Sequence, residues 1–418
     1  MRSGFCGIDF GTSNSAIAAG HSGPARLITL EDQNLTMPSA IFFNLESGRT
    51  VFGRRAIAEY LEGYSGRLMR SLKSILGSDL MQNSTQIGFK KVSFSQIVGL
   101  YIAHLKDKAE QECDCAIENV LMGRPVYFVD GDAAADKNAE NQLRAIVQAQ
   151  GFTNIAFEFE PIAAAKDYET TLTREELVLV VDIGGGTSDF SILKLSPAAR
   201  TKPDRFSDIL ASSGIHLGGT DFDKQFSLAC VMPEMGYKSL LENGMDMPLL
   251  HYHTLATWHL INTLYTQKNL NFIHALYKES ADKEKVGRLR TVIDKQRGHE
   301  LAAQVEGLKI ALSDSSRASI NLGFIEKGWE IQATRTDLNT AISRKIAKIV
   351  QVAYESVTGA AGIKPEAIDT IFMTGGSTGL YGFQEEIQRR FPQSKLIQGD
   401  RFSSVAKGLG LSAMQKYL

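Results

Sequence analysis

Cysteine is scarce in this chain, with only Cys6, Cys113, Cys115 and Cys230 among 418 residues. Four are too few to staple so long a chain with disulfides, which points to a reducing compartment. Cys113 and Cys115 stand one residue apart and no second pair answers them, so metal binding is not favoured there. No apolar run reaches the roughly 18 residues of a membrane span. The first strand-like stretch, "GFCGIDFG", begins almost at the initiating methionine and leaves no room for a signal peptide, so a cytoplasmic protein is expected. Neither sign of charge dominates: 45 Lys and Arg face 47 Asp and Glu, a formal net charge of -2. That balance argues against a nucleic-acid partner. A Walker-type phosphate loop is also missing, because no glycine-rich stretch ends in Gly-Lys-Ser/Thr opening a helix.

What is present is a globular composition, 43% hydrophobic, with length for two or three domains. Within it one device occurs twice. "CGIDFGTSNSAIA" (Cys6 to Ala18) and "VVDIGGGTSDFSIL" (Val180 to Leu193) each run from an apolar strand through Asp and a Gly turn with Thr and Ser into a second apolar strand. The first copy reads Asp9, Gly11, Thr12, Ser13, Asn14; the second reads Asp182, Gly184, Gly185, Gly186, Thr187, Ser188, Asp189. A hairpin needs only two turn residues, so three successive glycines imply a backbone that must come close to something. Such turns aim successive N–H groups into a concavity for anionic oxygens, and Thr and Ser hydroxyls add donors at its rim. A carboxylate ending each strand would repel a phosphate unless Mg²⁺ sits between them. Two facing hairpins would then clamp a nucleotide's phosphates and metal.

Two further glycine loops follow. "SSGIHLGGTDFD" ends in a helix start, with Thr220 as its expected N-cap and Asp221 and Asp223 in the first turn. "IFMTGGSTGL" is a buried strand running into Gly375 and Gly376. Glycine pairs after strands let backbone lie flat against a sugar or planar group, although tight strand-to-helix turns use them too.

In order, "GIDFGTSNS", "EPIAAA", "DIGGGTSDFS", "HLGGTDFD", "GLKIALS" and "TGGSTG" closely resemble the ATPase domain of the seventy-kilodalton heat-shock chaperones. This is the DnaK family of the actin-like ATPase superfamily, and the short YegD-like branch in particular. The resemblance runs over nearly the whole chain and is weakest from about Val231 to Arg297. It implies an α/β fold of two ribonuclease-H-like lobes around a nucleotide cleft. It also implies ATP or ADP and Mg²⁺ as cofactors, and protein partners on the outer faces of the lobes. Asp9, Gly11, Thr12, Ser13 and Asn14 would form the first phosphate loop, and Asp182, Gly184, Gly185, Gly186, Thr187 and Asp189 the second. Lys73 matches the family's catalytic lysine, Glu160 the glutamate near the metal's water, and Pro125 the proline that relays nucleotide state. Asp9, Asp182 and Glu160 would hold the metal mostly through water. Gly218, Gly219, Glu306, Lys309, Ser313, Gly375, Gly376 and Ser377 would contact the adenosine.

Read without the resemblance, Lys73 is one cation in a basic helical segment with Arg67 and Arg70, and Glu160 is a strand-end carboxylate before a helix-starting proline. Glu306 and Lys309, three apart on a helix, read as a surface ion pair.

The chain also departs from the family. Ile310 and Gly379 stand where two arginines usually sandwich adenine, and Phe402 replaces a late aspartate. Losing both stacking cations would weaken binding by about 1 to 2 kcal/mol. After "SSVAKGLGLSAMQKYL" no β-rich peptide-binding domain follows, so direct peptide clamping is not expected. Expected organisation is lobe I over residues 1–176, with a peripheral part at about 38–113 and completion by a helix at 400–418. Lobe II covers 177–399, with a peripheral part at about 220–333. "MPLLHYHTLATWHLINTLYTQKNLNFIHALYK" has helical apolar spacing for one or two amphipathic helices, and "KESADKEKVGRLRTVIDKQRGHE" reads as a solvated face. The expected activity is slow ATP hydrolysis by a chaperone-like protein. Alternatives are a nucleotide-dependent filament, scaffold or sensor, and a small-molecule kinase of the same superfamily.

Overall fold

The architecture comes from a computed structural model that describes residues 3–129, 131–202, 204–400 and 403–418. The chain packs into two compact units. The first contains residues 1–215, 352–378 and 390–418; the second contains 216–351 and 379–389. The sequence-based division near residue 176 follows the duplicated hairpins and falls inside the first unit.

The first unit holds two large sheets. One is built from β1 (Gly4–Phe10), β2 (Asn14–Gly20), β3 (Arg26–Leu27), β4 (Thr36–Pro38), β5 (Ile117–Arg124) and β6 (Asn154–Phe159). The other is built from β7 (Glu176–Ile183), β8 (Ser188–Leu195), β9 (Ile209–Ile215), β10 (Thr370–Thr374) and β11 (Lys395–Gln398). Their orders are β3-β2-β1-β5-β6 and β9-β8-β7-β10-β11, with β4 pairing β2 besides. In each, three antiparallel strands continue into two parallel ones. The repeat seen in the sequence is thus a repeat of topology, and it places Asp9 and Asp182 near the ends of corresponding strands.

Helices cover the first sheet. α1 (Phe94–Cys113) starts with a capping box in which Ser93 and Gln96 satisfy each other's backbone N–H groups. α2 (Ala133–Ala149) starts at Asp132, whose carboxylate accepts from Ala134 and Ala135 N–H. Ile97, Val98, Tyr101, Ile102 and Leu105 of α1, with Leu143 and Val147 of α2, pack on Cys6, Ile8, Phe10 and Ile17. A second core joins both sheets through α3 (Glu160–Glu169) and the last helix (Ser404–Tyr417), including Phe5, Leu121, Ile162, Val180, Leu193, Phe372 and Leu409. Small residues permit this approach. A Cβ on Gly408 would overlap the Ala163 carbonyl, and one on Gly7 would overlap the backbone of Leu409 and Gly410. The far end of α3 is held by Arg205, which makes a bidentate pair with Glu169 at 2.7 and 3.1 Å and reaches Asp208 at 2.5 Å, all nearly fully buried. α3 is therefore fixed along its length, and its first residue is Glu160.

The second unit contains α4 (Gly219–Phe226), α5 (Gln267–Glu279), α6 (Lys283–Asp294), α7 (Gly298–Asp314) and most of α8 (Arg335–Glu355), with a hairpin of Arg317–Asn321 and Glu330–Thr334. The stretch expected to form one or two helices forms three pieces, Leu250–Leu255, a 3₁₀ segment Trp258–Tyr265, and α5. Thr257 and Thr266 are extended and interrupt the helical run. The charged stretch after it is not simply a solvated face. α6 buries Val286, Leu289, Val292 and Ile293, and Arg288 pairs with Glu326 at 2.6 Å and Glu284 at 2.7 Å while lying over Trp329. Among the described residues no helix is long and apolar enough to cross a membrane.

Candidate active site

Two hairpins and one helix start build the site, all within the first unit. β1 and β2 pair up to Phe10 opposite Ser15, leaving Gly11–Ser13 as a loop. β7 and β8 pair Asp182 with Asp189 and Ile183 with Ser188, leaving Gly184–Thr187 as the other. The second loop closes on itself, since Gly184 N–H donates to the Thr187 carbonyl at 3.0 Å and Thr187 Oγ1 donates to Asp189 Oδ2 at 3.0 Å. The two loops meet: a Cβ on Gly185 would overlap Ser13 Oγ.

The other glycines of the second loop have no such neighbour. None of Gly184, Gly185 and Gly186 has a positive φ, so the backbone conformation does not demand glycine. A Cβ on Gly184 would make ordinary contact at 3.6 Å, and one on Gly186 would meet nothing within 4 Å. The protein's own atoms therefore explain glycine at 185 but not at 184 or 186. A cradle kept free of side chains fits a group that approaches the backbone from outside.

Below the loops lies a charged cluster. Lys73 Nζ is 2.5 Å from Glu160 Oε1, with only 11% and 17% of the two side chains exposed. Lys73 is not on a helix flanked by Arg67 and Arg70. Those arginines lie on a strand, Gly66–Arg70, and Lys73 follows in a 3₁₀ turn, Leu72–Ile75, entered through Ser71 at φ 57. Glu160 opens α3 with Pro161 in its first turn. Burial works against the Lys73 charge, but Glu160 and Asp9, with Asp189 beyond, outweigh it and raise its pKa. Asp9 is pushed up to about 8 by burial and then by Glu160 and Asp182, against Lys73. Asp182 is pushed up to about 7 by burial, Asp189 and Glu160, again against Lys73. Among the described residues, Asp9, Asp182, Asp189 and Glu160 act electrostatically on Lys73, and this crowding of carboxylates is what an oxygen-seeking cation would relieve. The donors are all oxygen, which suits Mg²⁺ and not a thiolate- or imidazole-seeking metal.

Gly375 adjoins this cluster. It follows β10, which runs parallel to β7 with Thr374 opposite Asp182. Its φ of 84 requires glycine, and a Cβ there would overlap Asp182 Oδ1. Gly376 and Ser377 follow in a 3₁₀ turn, with Ser377 buried. Pro125 follows Arg124, the last residue of β5. That arginine bonds the Pro125 carbonyl at 3.1 Å, pairs with Asp136 at 2.8 Å and with Glu140, and lies over the ring of Phe159, the residue before Glu160.

The remaining expected residues lie in the second unit. Gly218, in extended backbone, is the N-cap of α4, and Asp221 accepts its N–H at 3.1 Å. Thr220 therefore sits inside the helix and is not its cap. Lys309 does not pair with Glu306 on the surface. It is buried, 2.8 Å from Asp223 Oδ1 and 3.4 Å from the Gly219 carbonyl, because it shares the inward face of α7 with Leu308 and Leu312. Burial raises Asp223 to about 6 against the pull of Lys309. Glu306 and Ile310 are exposed on the same helix, Ile310 by 56%, and Ser313 is half-buried. Phe402 lies outside the described residues.

Ser39, Ser15 and Tyr101 were not anticipated. Ser39 Oγ donates to the Gly11 carbonyl at 2.6 Å, and Ser39 N–H donates to the Ser13 carbonyl at 2.9 Å. Only the proximity of "MPSA" to a turn region hints at this in the sequence, and nothing there gives the partner.

The family model described as "Hsp70 protein" matches residues 77–239 and 270–414, most of the chain. The chain belongs to the Hsp70 family. As a member of the Hsp70 family it has the actin-like ATPase fold, which accounts for the two sheets of matching topology. Chaperone protein DnaK of Thermosipho melanesiensis is 27% identical over 416 residues. The alignment covers 97% of this chain and 58% of that protein, so the chain spans little more than half the length of this Hsp70-family relative. The first loop and Lys73 precede the part matched by the Hsp70 model, and the unmatched interval between 239 and 270 falls inside the stretch where the resemblance is weakest.

Proposed function

We propose that this chain binds Mg-ATP and slowly hydrolyses it to ADP and phosphate, as a chaperone-like counterpart of the nucleotide-binding part of the DnaK family. The observation that carries the reading is the buried Lys73–Glu160 pair with Asp9, Asp182 and Asp189 around it, beneath two loops that touch at Gly185 and Ser13. Lobe I and lobe II, divided near residue 176, are proposed to each contribute one loop. Cytoplasmic location and protein partners on the outer faces belong to the same proposal; Phe89, fully exposed at the tip of a hairpin, is one candidate contact.

In this reading the loop N–H groups, with the hydroxyls of Thr12, Ser13 and Thr187, bind the phosphates, and Gly184 and Gly186 leave room for them. Lys73 keeps its charge because its raised pKa lies far above neutrality, so it can steady both the terminal phosphate and the attacking water. Thr187 spends its proton on Asp189, which leaves the lone pairs of Thr187 Oγ1 to accept a hydrogen bond from that water and fix its orientation. Asp182 would accept from the same water. Mg²⁺ would be held by Asp9, Asp182 and Glu160, and would neutralise the negative charge of the phosphates. These metal contacts would be made mostly through water. Catalysis is then mainly positioning and charge compensation.

Steady-state ATP hydrolysis of the wild type beside Lys73→Ala and Thr187→Ala tests this. Lys73→Ala should reduce turnover by about 100-fold or more. Equal turnover in all three proteins would reject the roles, and a wild type that neither binds nor hydrolyses ATP would reject the function.

A further inference from the structure

The first phosphate loop stands on a buried chain of hydroxyls. Ser15 Oγ and Ser39 Oγ are 2.9 Å apart, and Ser39 Oγ is 2.6 Å from the Gly11 carbonyl oxygen. Ser15 and Ser39 are 1% and 2% exposed, and the Tyr101 phenol, fully buried, donates to the Pro38 carbonyl at 3.1 Å. The direction of the chain follows from proton counting. A carbonyl can only accept, so the single Ser39 proton goes to Gly11, and the bond between the serines must be donated by Ser15. Ser39 also holds the loop at a second point, through its N–H to the Ser13 carbonyl at 2.9 Å, where β4 ends against β2.

This grip has a consequence one peptide unit away. The peptide joining Gly11 and Thr12 is trans and planar, so the Thr12 N–H points opposite to the Gly11 carbonyl. With that carbonyl tied to Ser39, the N–H is turned away from Ser39. Thr12 makes no hydrogen bond to another described residue, so its donor is not committed to any of them. We infer that Ser39, fed by Ser15, is a positioning residue that aims the Thr12 N–H at a phosphate oxygen of the bound nucleotide. The inference rests on the nucleotide-binding reading above and adds a residue and a role to it. Ser39 touches no phosphate itself. Its hydroxyl works through a rigid amide, so its effect should be confined to ligands that carry phosphate.

The test compares Mg-ADP, Mg-ATP and adenosine binding by calorimetry in the wild type, Ser39→Ala, Ser39→Thr and Ser15→Ala. Ser39→Ala leaves the Gly11 carbonyl without its donor and frees the amide to turn; affinity for both phosphorylated ligands should fall about 5- to 50-fold. Adenosine affinity should stay within about twofold. Ser39→Thr restores the hydroxyl and should recover most of the loss. Ser15→Ala keeps the Ser39–Gly11 bond while removing the donor behind it, and should show the same selectivity at about two- to fivefold; it serves as the readout should Ser39→Ala fail to fold. Equal losses for adenosine and ADP, or a lowered melting temperature with unchanged ADP affinity, would overturn the positioning role. A wild type that binds no ADP would instead overturn the nucleotide reading, and this inference with it.

Discussion

The two hairpin loops proposed to hold phosphate rest on different support. The second, Gly184–Thr187, carries a closing bond of its own, between Gly184 and Thr187, and Thr187 Oγ1 donates to Asp189 in the strand that follows. The first, Gly11–Ser13, depends on Ser39, 28 residues along the chain, for both of its anchored carbonyls. A loop that carries its own closure is conspicuous in the sequence as a block of glycine, threonine and aspartate. A loop held from elsewhere needs only one glycine, and its support is spread over residues that carry no pattern.

That contrast can be broken at the contact between the loops. Gly185→Ala drives a Cβ into Ser13 and should displace both loops together, lowering ATP turnover by about 100-fold, the cost of misplacing reacting groups by about 1 Å. Turnover within threefold of wild type would mean that the loops do not depend on each other. Thr187→Ala removes a hydroxyl from the second loop but spares its backbone closure, so turnover should drop about tenfold or more, while the melting temperature of the unliganded protein hardly moves. Gly186→Ala separates ligand room from folding. No protein atom lies within 4 Å of the added methyl, so folding stability should change by less than about 0.5 kcal/mol. Mg-ADP affinity should nevertheless weaken several-fold, and unaltered affinity would show that nothing approaches that backbone. The smallest effect leaves both loops alone. Ile310→Arg places a cation on an exposed face of α7 and should tighten ATP binding by about two- to fivefold, with tripolyphosphate binding unchanged as the control.

Much of the site is legible in the sequence because duplication made it visible. Asp9 and Asp182 could be matched by the order of their neighbours, and their strands do occupy corresponding places in sheets of one topology. Lys73 was visible only through the family resemblance. Its immediate neighbours suggested a basic helix, whereas the chain turns sharply at Ser71 and sends that one lysine to Glu160, 87 residues away. Lys309 shows the opposite limit. A three-residue spacing from Glu306 implied a surface pair, but its place on the buried face of α7 led it to Asp223 instead. Local spacing reports which residues share a helix, and it does not report which side faces another element. Ser39 and Ser15 escaped for a further reason: a lone buried hydroxyl has no period, and its meaning depends on the β2–β4 pairing that brings it under the loop.

The small residues where the last helix meets α3 and β1 bear on how the chain is made. Gly7 lies against Leu409 and Gly410, and Ala163 lies against Gly408, so part of the cover of the earliest strand comes from residues about four hundred positions later. A ribosome adding about 5–20 residues per second needs from about twenty seconds to more than a minute to cross that distance. Throughout that interval the nascent chain displays Phe5, Leu121 and Ile162 without their final cover. A member of a chaperone family would then itself require shelter during synthesis.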